Sequence, residues 1–374
     1  MKIVVTGAGG LLGWHAAVRL HAANCAARFR GEAEPHRIVP LTRDQFADAA
    51  TLRAAVADAD AVLHFAGVNR GPEAEVEQAN PQIAQALVAA CAAAGARPHI
   101  VYANSTHAAS DTPYGRSKRI AGDILQAFGA GYTNLVLPHI FGECARPNYN
   151  NVTATFIDAV TQGLSPTVNP DGRVRLLHAG EAAAIAIGAA RDGTGGDLAP
   201  SGLDIGVPDL LGRIQAFHAA YSANLFPDLR DPFDTALFNT YRASLYPHGF
   251  PRPLTQHADP RGTLFEAAKG GGGGQTFLSW THPGITRGNH FHLHKVERFL
   301  VVEGDAIIRI RRALREPVME YRVSGRTPAA VDMPTLHTHS IENVGTTPLL
   351  TLFWTNEVFD PSAPDTYADP VLRN

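Results

Sequence analysis

A tyrosine and a lysine four residues apart, Tyr114 and Lys118, form the first group in this sequence that could carry out chemistry. On a helix, residues with this spacing share one face. A tyrosine can donate a proton to a ketone oxygen when a nearby ammonium group stabilises the phenolate that remains. Ser105, at the end of the apolar run HIVYANS, could hydrogen-bond the same oxygen. The three residues therefore predict reduction of a carbonyl group by hydride.

A second group lies in GNHFHLHKVERFLVVEG, residues 288–304. His290 and His292 occupy alternate positions of a predicted strand, so their side chains point to the same side. We expect Glu297 and the later His339 to come from neighbouring strands. Three imidazoles and a carboxylate suit a divalent zinc, iron, nickel or manganese ion. The pattern predicts a metal site, and it leaves open which of the four residues bind the metal.

A glycine turn opens the chain in IVVTGAGGLLG. Gly7, Gly10 and Gly13 follow an apolar strand and precede a helix, with Leu12 between the last two. Glycine allows such a turn and lets a pyrophosphate approach the backbone, and the helix N-terminus then offers free N–H groups. The placement predicts a dinucleotide site.

The end of the second predicted strand favours NADPH over NADH. An acidic residue there would bind the ribose hydroxyl of NAD. Glu32 and Glu34 precede this strand, which ends in Leu-Thr-Arg with Arg43. A small residue followed by arginine suits a 2′-phosphate, although Asp44 comes next.

Two kinds of fold must position these groups. Up to about residue 245, short apolar runs alternate with alanine-rich helical stretches, which predicts a doubly wound α/β sheet. A Pro-rich stretch follows, and from about residue 250 strand-like runs predict an all-β barrel or jelly roll. We therefore predict domains at 1–245 and 250–374. Residues 270–274, five glycines, are expected to form a flexible hairpin loop after a first barrel strand GTLFEAAK.

Composition excludes several classes of protein. The net charge is −3, and no cluster of Lys and Arg indicates a nucleic-acid partner. The three cysteines lie far apart, which favours a reducing compartment. There is no signal-peptide pattern and no run of 18 apolar residues, so we expect a cytoplasmic protein without a membrane span.

The first part of the chain resembles the extended short-chain dehydrogenase/reductases. TGAGGLLG, LHFAG with Ala66 and Gly67, the strand-end Ser105 and the Tyr114–Lys118 pair all match that family. In VLPHIFGE, His139 stands where many members place a substrate-contacting Asn. The resemblance implies chemistry on nucleotide sugars. One difference is that Ser105 and Tyr114 lie only nine residues apart, so the loop between them must be short.

The later part resembles the cupins. Its first motif is G-x5-H-x-H-x4-E-x6-G, and the second is Pro334-x4-His339-x3-Asn343, in which Leu336 replaces the usual glycine. Of the additional histidines, His294 and His337 are expected to lie on the surface or behind the ligands.

The whole chain resembles the bifunctional capsular polysaccharide synthesis enzymes of the CapF type. HAASDTPYGRSK, NYNNVTATF, ADPRGTLFE and HPGITRGNHFH support the resemblance. It implies a homodimer with zinc in the cupin domain. That domain would epimerise C3 of a UDP-2-acetamido-2,6-dideoxy-4-hexulose. The other domain would reduce C4 with NADPH to give a UDP-2-acetamido-2,6-dideoxy-L-talose, on the way to UDP-N-acetyl-L-fucosamine. His294, Lys295 and His337 are candidates for the base that moves the C3 proton.

Other interpretations remain for the barrel and for the first domain. Two histidines and a carboxylate also hold iron in oxygenases. The barrel could instead be a sugar-binding or dimerisation module without catalytic activity, attached to a 4-keto-reductase. A scaffold that only senses NADPH is disfavoured, because a sensor does not need a proton donor.

Overall fold

A computed structural model describes residues 1–373 of the 374-residue chain. They form two compact units, one made of residues 1–155 and 168–208, and one made of residues 156–167 and those from Asp209 onwards. The helices, in chain order, are α1 (Leu11–Phe29), α2 (Arg43–Ala47), α3 (Ala49–Val56), α4 (Glu73–Ala94), α5 (Pro113–Ala127), α6 (Val152–Thr161), α7 (Ala179–Asp192), α8 (Val207–Ser222) and α9 (Pro232–Leu245). A short 3-10 helix spans Thr106–Ala109.

The first unit is a doubly wound α/β fold, as predicted. Its strands are β1 (Lys2–Thr6), β2 (Arg37–Leu41), β3 (Ala61–His64), β4 (His99–Ser105), β5 (Tyr132–Leu137), β6 (His139–Phe141), β7 (Arg173–His178), β8 (Gly196–Leu198) and β9 (Leu203–Gly206). Six of them form a parallel sheet in the order β2-β1-β3-β4-β5-β8, and β6, β7 and β9 form a small second sheet.

Both faces of the parallel sheet are covered by helices. Along β1, Ile3 and Val5 belong to a buried cluster with residues of α1 and α7, whereas Val4 belongs to a cluster with residues of α3, α4 and α5. This alternation follows from the two-residue period of a strand. The strand order changes direction between β1 and β3, and ligands of such sheets bind outside the carboxyl ends of the strands at that point.

The second unit contains an antiparallel barrel, also as predicted. Its strands are β10 (Leu225–Phe226), β11 (Arg252–Pro253), β12 (Gln256–Asp259), β13 (Gly262–Phe265), β14 (Lys269–Gly270), β15 (Gln275–Thr281), β16 (Thr286–Phe291), β17 (Glu297–Glu303), β18 (Asp305–Arg312), β19 (Val318–Ser324), β20 (Ala329–Met333), β21 (His337–Asn343), β22 (Leu349–Thr355) and β23 (Tyr367–Ala368). Two five-stranded sheets have the orders β11-β20-β17-β22-β15 and β19-β18-β21-β16-β23. Apolar side chains of both sheets, such as Phe299 and Ile308, share one buried cluster.

Helices α8 and α9 pack with the barrel through a buried polar network. Arg298 forms a bidentate ion pair with Asp332 at 2.6 and 2.8 Å, and Tyr221 of α8 donates a hydrogen bond to the same carboxylate. Asn239 of α9 donates to the His294 carbonyl at 2.7 Å. The division into 1–245 and 250–374 stays a prediction, and the structure adds that residues from Asp209 to 245 pack with the second unit.

The glycine-rich segment differs from the expectation. GTLF forms β13, which pairs with β12 in a separate hairpin, so the prediction that it begins the barrel was wrong. Gly271 donates to the Phe226 carbonyl at 2.9 Å, and a side chain at Gly274 would come within 2.2 Å of the Thr355 carbonyl oxygen. These glycines are needed because the backbone passes close to other backbone segments.

Candidate active site and metal centre

The glycine turn after β1 is closed by contacts that leave no room for side chains. Gly7 has a φ of +66°, and a Cβ there would lie 2.8 Å from the Ala66 nitrogen. A Cβ at Gly13 would lie 2.3 Å from the Gly7 carbonyl oxygen. Gly10 is the N-cap residue of α1 and has no side chain to occupy the N-terminal N–H groups. This cradle fits the pyrophosphate of a dinucleotide.

Thr6, which the sequence reasoning missed, joins this turn to the end of β3. Its hydroxyl accepts hydrogen bonds from the backbone N–H groups of Phe65 and Ala66, each at 3.1 Å. His64 Nδ1 lies 3.0 Å from the same oxygen. The strand-end threonine therefore fixes the two loops that form the switch point.

Arg43 lies exposed at the start of α2, next to the glycine turn along the sheet edge. Ala8 N–H donates to the Leu41 carbonyl at 3.2 Å, which ties the turn to the end of β2. Thr42 and Gln45 form a capping box that begins the helix. Arg43 is thus on the side of the turn where an adenosine ribose would lie in a doubly wound sheet.

A cavity of about 840 Å³ opens at the carboxyl ends of the strands in the first unit. Among the predicted residues, its lining includes Gly10, Leu12, Gly67, Ser105, Tyr114, Lys118 and His139. Gly7, Gly13, Ala66 and Arg43 are not part of the lining. No carboxylate side chain lines it within the described part of the chain. The cavity therefore suits an anionic ligand.

The predicted serine, tyrosine and lysine are brought together in this cavity. Tyr114 and Ser105 both line the cavity, and burial raises the pKa of Tyr114 above its ordinary value while the nearby Ser105 hydroxyl opposes the shift. Lys118 Nζ donates to the Ala103 carbonyl at 2.5 Å and lies 4.1 Å from the centre of the Tyr102 ring. Burial lowers the pKa of Lys118 to about 7.

The short connection between Ser105 and Tyr114 depends on a glycine that the sequence reasoning missed. The 3-10 helix follows Ser105 directly, and Thr112 caps α5 by accepting from Gly115 N–H at 3.1 Å. A Cβ at Gly115 would lie 2.4 Å from the His107 carbonyl oxygen and 2.5 Å from Ser110 Oγ. Only glycine lets the connection pass this close to the helix that carries Tyr114.

Two further polar side chains shape the cavity. His139, at the start of β6, has no hydrogen-bond partner for its Nε2 within residues 1–373, and burial, followed by the charge of His107, lowers its pKa. It is thus a neutral imidazole next to the ligand space. Asn80 on α4 was not predicted: it accepts from Val68 N–H and donates to the Val68 carbonyl, both at 2.9 Å, which fixes the loop after Gly67.

The four predicted metal ligands also converge, in the second unit. His290, His292, Glu297 and His339 each offer an atom, and these atoms all lie within 4.8 Å of one another. Glu297 Oε2 lies 3.0 Å from His292 Nε2 and 3.2 Å from His339 Nε2. His290 and His339 are register partners on β16 and β21. Glu297 comes from β17 of the opposite sheet, so the expectation that it lies on a neighbouring strand was wrong.

Two histidines of this cluster, His292 and His339, are oriented by backbone carbonyls. His292 Nδ1 lies 2.5 Å from the Asp365 carbonyl oxygen, and His339 Nδ1 lies 3.1 Å from that of His337. Because one ring nitrogen donates outwards, the other presents its lone pair to the centre, as in metal sites. The residues therefore fit a divalent ion.

Electrostatics within the cluster oppose the effect of burial. Burial lowers the pKa of His290 well below its ordinary value, and the neighbouring histidines add to this shift. Burial would raise the pKa of Glu297, but His292 and His339 outweigh it and hold that pKa well below the usual range. Burial also lowers the pKa of His339, whereas at His292 the charge of Glu297 outweighs burial and raises the pKa. The group thus contains an ionised carboxylate, and His292 must release a proton when a metal binds.

The three candidate bases differ in their surroundings. His294 is exposed, and its Nδ1 lies 3.2 Å from Asp365 Oδ2. Lys295 is buried, and its Nζ donates to the Pro364 carbonyl at 2.6 Å. His337 is fully buried, and its Nδ1 bonds the Thr335 carbonyl at 2.8 Å. Neither His294 nor His337 belongs to the four-residue cluster.

Another histidine–glutamate cluster, in the first unit, is complete as a hydrogen-bonded network. His178 Nε2 lies 2.8 Å from Glu143 Oε2, and His15 Nε2 lies 3.2 Å from the Glu143 carbonyl oxygen. A carbonyl only accepts, so His15 Nε2 carries the proton and has no lone pair for a metal.

Two family models match the two parts of this chain. Residues 3–198 match the NAD dependent epimerase/dehydratase family, and residues 257–367 match the polysaccharide biosynthesis C-terminal domain. The chain is 32% identical over 379 residues to UDP-2-acetamido-2,6-beta-L-arabino-hexul-4-ose reductase from Pseudomonas aeruginosa, and the alignment covers 98% of each protein.

Solved structures give the same result over the whole chain. The capsular polysaccharide assembling protein CapF from Staphylococcus aureus is 30% identical and has a TM-score of 0.58, with 99% of this chain and 100% of that chain covered. This chain belongs to the CapF-type family of nucleotide-sugar epimerases and reductases. The CapF-type chain is therefore an NAD(P)-dependent enzyme, as predicted.

A more distant structure supports the fold alone. UDP-N-acetylglucosamine 4-epimerase from Bacillus cereus is 21% identical, with a TM-score of 0.51, and the match covers 67% of this CapF-type chain and 97% of that chain. No helix within residues 1–373 combines the length and the apolar character needed to cross a bilayer.

Proposed function

We propose that this enzyme acts twice on one UDP-linked 4-keto-2-acetamido-2,6-dideoxy sugar, first epimerising C3 in the barrel and then reducing the C4 ketone in the first unit. The product is a UDP-2-acetamido-2,6-dideoxy-L-talose. The observation that carries the proposal is the occurrence of two complete chemical groups on one chain, the Ser105–Tyr114–Lys118 group and the cluster of three histidines and Glu297. The relative from Pseudomonas aeruginosa is named for the reduction of a hexul-4-ose, which supports the substrate class.

In the reduction, Tyr114 donates the proton to the C4 oxygen. Ser105, which lines the same cavity, hydrogen-bonds that oxygen and so places it next to the phenol. Lys118 stabilises the phenolate that forms and holds the nicotinamide ribose. The glycine turn would hold the pyrophosphate of NADPH and Arg43 its 2′-phosphate, and the cofactor would supply the hydride. His139 contacts the sugar as a neutral hydrogen-bonding group.

In the epimerisation, His290, His292, Glu297 and His339 would hold a zinc ion. A metal held there would polarise the ketone and make the adjacent C3–H more acidic. A base of the barrel then removes the C3 proton, which exchanges with solvent, and a solvent-derived proton is delivered to the opposite face. Lys295 and His337 are the buried candidates for that base, and His294 is the exposed one.

A homodimer in the cytoplasm completes the proposal. Strand β15 lies at the end of its sheet and exposes Phe277, Leu278 and Trp280, the last with 64% of its surface accessible. An exposed apolar edge strand is a template for pairing with another chain, and a second copy is the occupant that we propose. Light scattering after gel filtration tests this, because Leu278→Lys would then shift the protein towards the monomer.

The cysteines in the described residues are all free, which suits a reducing compartment.

The second candidate function is a 4-keto-reductase with a barrel that binds sugar or mediates dimerisation without catalysis. It is favoured by the name of the relative from Pseudomonas aeruginosa, which mentions reduction alone.

One experiment separates these functions. The UDP-4-keto-2-acetamido-2,6-dideoxy sugar is incubated with NADPH in deuterated water, and the product is examined by NMR. A reduced C4 together with an inverted, deuterated C3 supports both steps. A reduced C4 with an unchanged C3 supports the second candidate, and absence of NADPH oxidation contradicts the substrate.

A further inference from the structure

A segment near the end of the described chain lies along β16, the strand that carries His290. Residues 365–371, here called the C-terminal strap, include β23, which pairs with β16. Ala368 is the register partner of His290, and Tyr367 is the partner of Phe291. The strap therefore continues the sheet next to the metal cluster.

Asp365, at the start of the strap, bonds the three residues that follow His292 and also His292 itself. Its carboxylate accepts from the backbone N–H groups of Leu293, His294 and Lys295 at 2.9, 2.9 and 2.8 Å. Its own carbonyl oxygen lies 2.5 Å from His292 Nδ1. The residue is only 5% exposed.

The backbone of Asp365 is held in an unusual conformation. Its φ is +40°, which lies in the left-handed region and is costly for a residue with a side chain. The carboxylate accepts from three N–H groups of the turn, and that of Lys295 is buried, so it would be left without a partner if the strap lay elsewhere. An unsatisfied buried donor is expensive. The turn at residues 293–295 therefore holds Asp365 in this conformation, and Asp365 in turn stabilises the turn.

The far end of the strap is anchored independently. Arg311, which is 1% exposed, forms an ion pair with Asp369 at 2.8 Å and donates to the Val371 carbonyl at 2.9 Å. Asn289 accepts from Asp369 N–H at 2.8 Å and from Val371 N–H at 3.1 Å. Because Asn289 precedes His290, this anchor also reaches the strand of the metal cluster.

We infer that Asp365 is a positioning residue of the metal site, which sets the tautomer and the orientation of His292, and that metal binding and docking of the strap stabilise each other. This rests on the proposed metal function. Groups behind a ligating histidine typically change metal affinity about 10- to 100-fold. Coupling between two sites is reciprocal, so the metal must also tighten the strap.

The test compares zinc binding by the full chain, its Asp365→Asn variant and an Asp360→Asn control, using competition with a chromophoric chelator. The side-chain amide introduced by Asp365→Asn would place its own N–H donors against backbone N–H donors of residues 293–295. Asp360, the control, is exposed and bonds only its own turn. We expect zinc affinity to fall by about 10- to 100-fold in Asp365→Asn and to stay unchanged in the control. Unchanged affinity in Asp365→Asn overturns the inference.

If Asp365→Asn does not fold, amide hydrogen exchange of the wild-type chain, measured with and without zinc, tests the same inference. Zinc is expected to slow exchange of the amides of residues 293–295 and of the strap, and an unchanged exchange rate there overturns the inference. A wild-type chain that binds no zinc contradicts the metal function itself. The experiments therefore distinguish failure of the proposed coupling between strap and metal from failure of the proposed metal function.

Discussion

At the scale of single residues, the reductase group can be tested by removing one oxygen atom. In Tyr114→Phe the proton donor is lost, and we expect kcat for ketone reduction to fall by about 10²- to 10⁴-fold. Steady-state NADPH oxidation measures this. Tyr132→Phe, a change outside the cavity lining, is the control and should keep its activity. A Tyr114→Phe enzyme with normal kcat would mean that another group donates the proton.

Lys118 makes a prediction about pH and stability. Burial lowers its pKa from 10.5 to about 7, so between these pH values the unfolded chain binds more protons than the folded chain. The free energy of unfolding of the cofactor-free enzyme should therefore rise with pH in this window, by at most roughly 5 kcal/mol. Urea denaturation at several pH values measures the slope.

Lys118→Met is the matched variant for that measurement. Because methionine carries no charge, we expect its stability to lack this pH dependence and to equal or exceed that of the wild type at pH 7, while reduction is lost. An identical slope in both proteins would assign the pH dependence to other groups.

At the scale of elements, the connection before α5 depends on Gly115. In Gly115→Ala the new methyl group would meet the His107 carbonyl, so we expect a loss of roughly 1–3 kcal/mol in stability, together with lower kcat, because Ser105 and Tyr114 move apart. Gly188→Ala is the control, since nothing lies within 4 Å of a Cβ there. It lies inside α7, and alanine should stabilise that helix by about 0.5–1 kcal/mol. Thermal unfolding of both variants measures these changes. Equal changes in stability in Gly115→Ala and Gly188→Ala would contradict the close packing at Gly115.

At the scale of the whole molecule, the two reactions should be separable by mutation. His290→Ala removes one imidazole of the metal cluster, so we expect C3 deuterium uptake to fall to the background rate while NADPH binding by the first unit is kept. Tyr114→Phe should give the reverse, with deuterium uptake at C3 and little reduction. NMR in deuterated water and fluorescence titration with NADPH measure the two properties.

The control for His290→Ala is His257→Ala, an exposed histidine in the β12–β13 hairpin. Normal C3 exchange in His290→Ala would support the second candidate function, in which the barrel binds sugar or another copy.

Local patterns in the sequence determined the class of both folds and the residue types of both groups. The glycine turn, the Tyr–Lys spacing and the alternate histidines are short-range features, because each depends on the period of one strand or helix. Only the tertiary structure decided which side chains approach from distant parts of the chain. The pairing of Gly7 with Gly13, the need for Gly115 and the place of Glu297 on the opposite sheet follow from how backbones pass one another. Asp365 gave no signal in the sequence, because an aspartate in a Pro-rich tail acquires its role only when that tail lies against the turn after His292.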